Sequence, residues 1–185
     1  MNIPNFLSLL RIILVPVFVI FLMQAEYDKA LITFMIAGLT DALDGTLARL
    51  LNCQTALGAY LDPIADKLLL VTSFVTLAIY GIIPAWLAVI VISRDCIILL
   101  GIAILTLMSV TYEIKPAIVS KITTALQIAT IFLALLYKSV THDFGYYWII
   151  GLCWVTAIFT VISGLVYVSR GIRILNKSVA EEAKK

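Results

Sequence analysis

The stretch Asp41-x2-Asp44-Gly45-x2-Ala48-Arg49-x8-Gly58-x3-Asp62-x3-Asp66 places four carboxylates inside an otherwise apolar chain. Intervals of three and four residues return a helix to nearly the same face. The stretch therefore reads as the end of one helix and the start of the next, presenting four acids to a shared space. A carboxylate at membrane depth is costly unless it meets a cation or lines a wet cavity. Four that converge also repel one another. Divalent metal supplies the missing positive charge, and ligands made only of oxygen point to a hard ion, Mg2+ or Mn2+.

On both sides of this window the chain is apolar. Of its 185 residues 63% are hydrophobic and 13% charged, with a mean hydropathy of +1.11; soluble domains carry about 25% charged residues. We expect an all-α, polytopic membrane protein with six transmembrane helices, at roughly 5–24, 30–50, 60–80, 85–108, 117–137 and 146–168, each near the ~20 residues a bilayer requires. Six such helices with brief connections leave no room for a second domain, so residues 1–185 are expected to form one membrane domain, with 169–185 as a basic tail. Ile12 to Met23 resembles a signal-peptide core, but no basic segment precedes it and Ala25-Glu26-Tyr27 is a poor cleavage site. It is expected to remain as the first helix, bent at Pro16.

Basic residues set the orientation. With a cytoplasmic N-terminus, that side holds Arg49, Lys115, Lys121, Arg170, Arg173, Lys177, Lys184 and Lys185, and the opposite side only Lys29 and Lys138. This bias puts both termini and the acids on the cytoplasmic face. The basic tail also suits anionic headgroups. The net charge of +2 gives no reason to expect a nucleic-acid partner. Cys53, Cys96 and Cys153 show no metal-ligand spacing and read as small core residues. His142, the one histidine, falls in the loop across the membrane from the acids and receives no catalytic role. Tyr146, Tyr147 and Trp148 read as an interfacial anchor.

A knot of structural ion pairs is the plain alternative for the four acids, with Arg11, Arg49, Lys67, Arg94 and Asp95 available as partners. It leaves unexplained the small residues Gly45, Ala48 and Gly58 at helical intervals from the acids, which permit close approach of a bulky ligand. Arg49 ends the same helix and can fork onto a phosphate. Acids, small residues and an arginine together describe a metal–pyrophosphate site. A cation-coupled membrane transporter is the competing class; it predicts acids spread across the membrane and often an inverted repeat. These acids cluster, and no repeat is visible.

The window resembles the signature of the CDP-alcohol phosphotransferase family at all eight fixed positions. The likeness extends over nearly the whole chain, because family members are six-helix membrane enzymes of this size and generally homodimers. It implies two divalent cations, with Asp41 and Asp62 shared, Asp44 completing one site and Asp66 the other. Gly45, Ala48, Arg49 and Gly58 would accommodate the CDP moiety. Asp66 would be the catalytic base that takes a proton from the acceptor hydroxyl. The implied reaction is attack on the lipid-side phosphorus of CDP-diacylglycerol with release of CMP, at the inner membrane of a bacterium.

The opening Asn2-Ile3-Pro4-Asn5-Phe6-Leu7-Ser8-Leu9-Leu10-Arg11 is similar to the phosphatidylglycerophosphate synthase and cardiolipin synthase branches of that family. Asn5, Ser8 and Arg11 share roughly one helix side and could reach the nucleotide or the acids; Asn5 and Ser8 could instead cap the helix. In the fourth span Arg94 and Asp95 are adjacent, point apart on a helix, and are each expected to find a separate partner. In the fifth, Ser120, Thr124 and Gln127 share a face and with Lys121 suggest a polar inward stripe. Arg94, Lys115 and Lys121 are the candidates for binding an anionic acceptor. We expect glycerol 3-phosphate as that acceptor, with phosphatidylglycerol, a lipid alcohol, as the alternative; Ser93-Arg94-Asp95 and the Lys115-Pro116 to Lys121 pattern lean toward the latter.

Overall fold

Long apolar runs in a bilayer must satisfy their backbone N–H and C=O groups internally, which a helix does. The structure, a computed structural model, describes the backbone of residues 3–51, 56–107, 118–140 and 146–182, with side chains within 9–41, 64–107, 118–140 and 147–176. The described secondary structure is all helical: α1 (Ile3–Met23), α2 (Tyr27–Leu51), α3 (Ala56–Ile79), α4 (Ala85–Leu107), α5 (Ile118–Val140) and α6 (Tyr146–Glu182). Pro16 lies within α1, which continues through it.

The expected spans fall within about four residues of these helices at every end but one. The exception is α6, which continues through the basic tail and reaches 37 residues. At 1.5 Å per residue it is about 55 Å long, well beyond a hydrocarbon core of about 30 Å. After Val168 the chain has no proline to stop it, and its Arg, Ile, Leu and Lys residues are compatible with continued helix. Among the described residues, three helical segments are long and apolar enough to cross a membrane: Ala85–Leu107, Ile118–Val140 and Tyr147–Asn176.

Two tight turns fix the hairpins. After α1, Glu26 N–H donates to Phe21 C=O while Ala25 adopts φ 56°. After α3, Ile82 N–H donates to Leu77 C=O while Gly81 adopts φ 65°. Both are six-to-one closures with a left-handed residue inside, a common way to satisfy the last carbonyls of a helix. Pro84 then stands just ahead of α4, and Leu87 N–H donates to its carbonyl.

Packing is strongest within two groups, α1 with α2 and α3, and α6 with α4 and α5; α2 against α5 and α3 against α4 join them. The apolar core gathers Phe18, Leu22, Phe34, Phe74, Leu77, Leu87, Ile131 and Leu135. Large apolar side chains such as Ile79, Leu107, Ile118 and Leu165 stand outward and exposed, the face a lipid solvent accepts. Buried polar residues lie elsewhere: Arg11 early in α1, Thr40 late in α2, Arg94 and Asp95 in mid α4, Thr123 and Gln127 in the first half of α5, and Ser163 in α6. The up-and-down course of the chain brings these toward one end of the bundle, while the buried hydroxyls of Thr33, Ser73 and Thr76 lie toward the other.

Candidate active site

Arg11 is fully buried, and its Nη1 lies 2.7 Å from Oδ1 of Asp41, whose side chain is 48% exposed. The contact joins α1 to α2 as an ion pair off the line of the N–H bonds. Neither Nε nor Nη2 of Arg11 has a hydrogen-bond partner among the described residues. A buried guanidinium so weakly satisfied is expensive unless further acceptors come to it. Asp66, from α3, lies within electrostatic range of Asp41, Arg11, Lys67 and Asp95. One acid of each helix, Asp41 and Asp66, thus lies within electrostatic range of the other, with α2 and α3 both packed on α1. Asp44 sits less than one turn beyond Asp41 on α2, and Asp62 one turn before Asp66 on α3; their side chains lie outside the described residues. The same is true of Gly45, Ala48 and Arg49 on α2, Gly58 on α3, and Asn5 and Ser8 on α1. Lys115 lies wholly outside them.

A second cluster adjoins the first. Asp95 is buried and held twice, by Lys67 Nζ at 2.6 Å and by Arg94 Nη1 at 2.7 Å. Arg94 Nη2 donates to Ser120 Oγ at 2.7 Å and to Ser163 Oγ at 2.9 Å, and its guanidinium stands 5.8 Å from the Tyr167 ring centre. A β-carbon at Gly164 would sit 3.5 Å from Arg94 Cγ, an ordinary packing contact, so α6 lies directly against the Arg94 side chain. One arginine therefore ties α4 to α5 and α6, and one lysine ties α3 to α4. Arg94 and Asp95 thus find the separate partners expected of them, and in addition they pair with each other. Neighbouring positions diverge by about 100° on a helix, but an arginine side chain is long enough to bend back to the adjacent carboxylate.

The α5 stripe is met in part: Ser120 accepts from Arg94 and Gln127 is buried, but the threonines turned inward are Thr123 and Thr130 rather than Thr124. Thr123, Gln127 and Thr130 are the buried polar positions, facing α6. Thr123 Oγ1 donates to Val119 C=O and is 3.0 Å from Phe159 C=O; Gln127 Nε2 reaches Thr160 Oγ1 at 3.5 Å, and Thr130 and Thr156 share a 2.8 Å hydrogen bond. Hydroxyls and amides of this kind hold helices together where the hydrophobic effect is absent. Thr124 is half-buried and donates back to Ser120 C=O. Lys121 is exposed.

In these two clusters Arg11, Lys67 and Arg94 face Asp41, Asp66 and Asp95, three cations to three carboxylates. Lys67 and Asp95 were candidates only for structural pairing, and they do pair. Their signal was burial: an acid in mid-helix needs a cation from a neighbouring helix. Among the described residues no group of three or more His, Cys, Asp or Glu could hold a metal ion; two of the four expected ligands lie outside that set.

The sequence matches the CDP-alcohol phosphatidyltransferase family over residues 1–166. It is 32% identical to CDP-diacylglycerol–glycerol-3-phosphate 3-phosphatidyltransferase of Bacillus subtilis, an alignment covering 96% of this chain and 98% of that one. It is 36% identical to human cardiolipin synthase (CMP-forming) over 69% of this chain, and there it spans about half the relative's length, 48%. With the match extending across the acid window and both clusters, the chain belongs to the CDP-alcohol phosphatidyltransferase family.

Proposed function

We propose that this protein transfers a phosphatidyl group from CDP-diacylglycerol to glycerol 3-phosphate, giving phosphatidylglycerophosphate and CMP in phospholipid biosynthesis. The observation that carries the reading is the convergence of Asp41 and Asp66 on a buried Arg11 whose Nε and Nη2 find no hydrogen-bond partner among the described residues. The alignment with a glycerol-3-phosphate enzyme over nearly its full length supports the acceptor.

The donor set fits two hard cations. Only carboxylate oxygens are offered, one side of Asp41 is open, and the described charges already balance before Asp44 and Asp62 are added. Asp41, Asp44, Asp62 and Asp66 would hold Mg2+ or Mn2+, which when bound supplies positive charge to the pyrophosphate and the departing CMP. The rest falls to the chain. Gly45, Ala48 and Gly58 leave space for the nucleotide, with Asn5 and Ser8 on the facing helix, and Arg49 forks onto phosphate. Asp66 accepts the proton of the acceptor hydroxyl as its oxygen bonds to the lipid-side phosphorus and the bond to CMP breaks. Arg11 holds Asp41 in place and brings positive charge to the acid cluster. Lys121 and Lys115 attract the acceptor, and Arg94 orders the wall between α4, α5 and α6.

The donor carries acyl chains, so the site belongs at a membrane. We read all six helices of a single domain, residues 1–185, as spans of a bacterial inner-membrane protein with the acids facing the cytoplasm, working as a homodimer among membrane lipids. Identity to human cardiolipin synthase supports the second acceptor, phosphatidylglycerol. Purified protein with CDP-diacylglycerol and Mg2+, offered labelled glycerol 3-phosphate or phosphatidylglycerol separately, decides between them. Label should pass into phosphatidylglycerophosphate with the first; cardiolipin formed only with the second would reverse the assignment, and no CMP with either would end it.

A further inference from the structure

Two adjacent acid–base pairs meet between α3 and α4, Asp66-Lys67 on the first and Arg94-Asp95 on the second. They are joined unequally. Arg94 bends back to its own neighbour, with Nη1 2.7 Å from Asp95 Oδ1. Lys67 instead crosses from α3 to Asp95 Oδ2, with Nζ at 2.6 Å. Each oxygen of Asp95 thus has its own cation. The holder is fixed and the held group is not. The Asp95 side chain is 6% exposed, and Arg94 beside it is fastened to Ser120 on α5 and Ser163 on α6. The Lys67 side chain is 39% exposed and carries its charge on a flexible stem. Asp66 lies within electrostatic range of that charge, so the ammonium has a second carboxylate to go to. A lysine seated on Asp66 would repel a metal ion and occupy an oxygen that the reaction needs as proton acceptor.

We propose that Asp95 is a positioning residue for the acid cluster: it holds the Lys67 ammonium on α4 and so keeps Asp66 open to divalent metal and to the acceptor hydroxyl. This role rests on the reading of the four acids as metal ligands. It accounts for a buried carboxylate in mid α4 where an apolar contact would tie α3 to α4 without desolvating a charge. Arg94 is part of the device. With Oδ1 taken by Arg94, Oδ2 is the oxygen left for Lys67. A carboxylate secured through Arg94 to α5 and α6 cannot follow the lysine toward Asp66.

The test uses the full chain in neutral detergent without lipid substrate, titrated with Mn2+. Free Mn2+ is read by electron paramagnetic resonance, and folding by thermal unfolding. Asp95→Asn should weaken Mn2+ binding about tenfold, the scale of one cation brought onto a ligand carboxylate. Lys67→Gln alone removes a partly exposed charge that is already paired, and should change the affinity by no more than about threefold. Added to Asp95→Asn, the same change should recover most of the loss, because the freed ammonium is then gone. Asp95→Glu keeps a carboxylate for Lys67 and should bind Mn2+ more tightly than Asp95→Asn. Should Asp95→Asn not fold, Arg94→Gln with Asp95→Asn removes both buried charges of α4 and allows the same comparison with and without Lys67. An Asp95→Asn variant that folds and binds Mn2+ as the parent does would overturn the proposal. A loss that Lys67→Gln fails to recover would reduce Asp95 to a structural tie. An equal gain from Lys67→Gln in both backgrounds would make its charge a diffuse contribution and not a captured one, which also overturns it. A parent protein that binds no Mn2+, or an Asp41→Asn variant that binds it unchanged, would instead remove the metal reading and this role with it.

Discussion

Among the described residues Arg11 combines full burial with one charge contact, to an aspartate that is half open to its surroundings. Removing one partner of a buried charge pair costs about 3–5 kcal/mol, because the other is left uncompensated. Asp41 is partly exposed, which moves the expectation to the lower end. Arg11→Gln should therefore lower the melting temperature in EDTA by several degrees, and Mg2+ should stabilise the variant more than it stabilises the parent protein. An unchanged melting temperature in EDTA would show that Arg11 does not hold the acids. The acids themselves make a sharper prediction. Asn at Asp41, Asp44, Asp62 or Asp66 should lower turnover by several orders of magnitude, as should EDTA, through lost stabilisation of the leaving group. Asp66→Asn should keep donor binding and lose turnover, whereas Asp41→Asn should lose both. Equal loss of donor binding in the two variants would make Asp66 a ligand and not the base. The spacing of the four acids was legible without any structure, because helical periodicity is a local property. The seat of Arg11 was legible only as a side of α1, since its partner is thirty positions away on another helix.

At the scale of elements, the two hairpin turns close alike but carry different residues in the left-handed position, Ala25 and Gly81. A β-carbon there costs roughly 1 kcal/mol relative to glycine. Ala25→Gly should stabilise the protein by up to about 1 kcal/mol and Gly81→Ala destabilise it by a similar amount, measured by thermal or denaturant unfolding. Opposite signs are the content of the prediction; two changes of the same sign would remove the turn argument. The α4 cross-link alters what can be asked of Arg94. It is bound to Asp95, Ser120 and Ser163, so Arg94→Ala should reduce stability by about 3–5 kcal/mol and report poorly on the acceptor. Lys121 is exposed, and Lys121→Ala is the cleaner probe: the acceptor KM should rise about tenfold, with the donor KM nearly unchanged. A change confined to the donor KM would move Lys121 to the nucleotide. The α5 register shows why patterning fell short here. Threonine hydroxyls satisfy themselves on their own helix, so which of Thr123, Thr124 and Thr130 turns inward depends on the packing of α6, which composition does not encode.

For the whole molecule, an aliphatic exterior, a polar cluster at one end and an overlong α6 combine into a single topological statement. Tyr147 and Trp148 are exposed at the start of α6, and Asn176 is exposed near its far end. The segment between them is apolar and 30 residues long. If the basic side is cytoplasmic, a cysteine at 148 should meet the outside and one at 176 the inside. In a background with Cys53, Cys96 and Cys153 replaced by alanine, Trp148→Cys should react with a membrane-impermeant maleimide in intact cells. Asn176→Cys should react only after permeabilisation. The reverse pattern would put the acid cluster on the face without nucleotide and remove CDP-diacylglycerol synthesis as its supply, whatever the geometry of Asp41 and Asp66. Labelling of both positions from one side would mean that α6 does not cross. The positional bias of lysine and arginine sets this orientation from sequence alone, while the depth of α6 in the membrane depends on how α4 and the lipid around it grip its lower half.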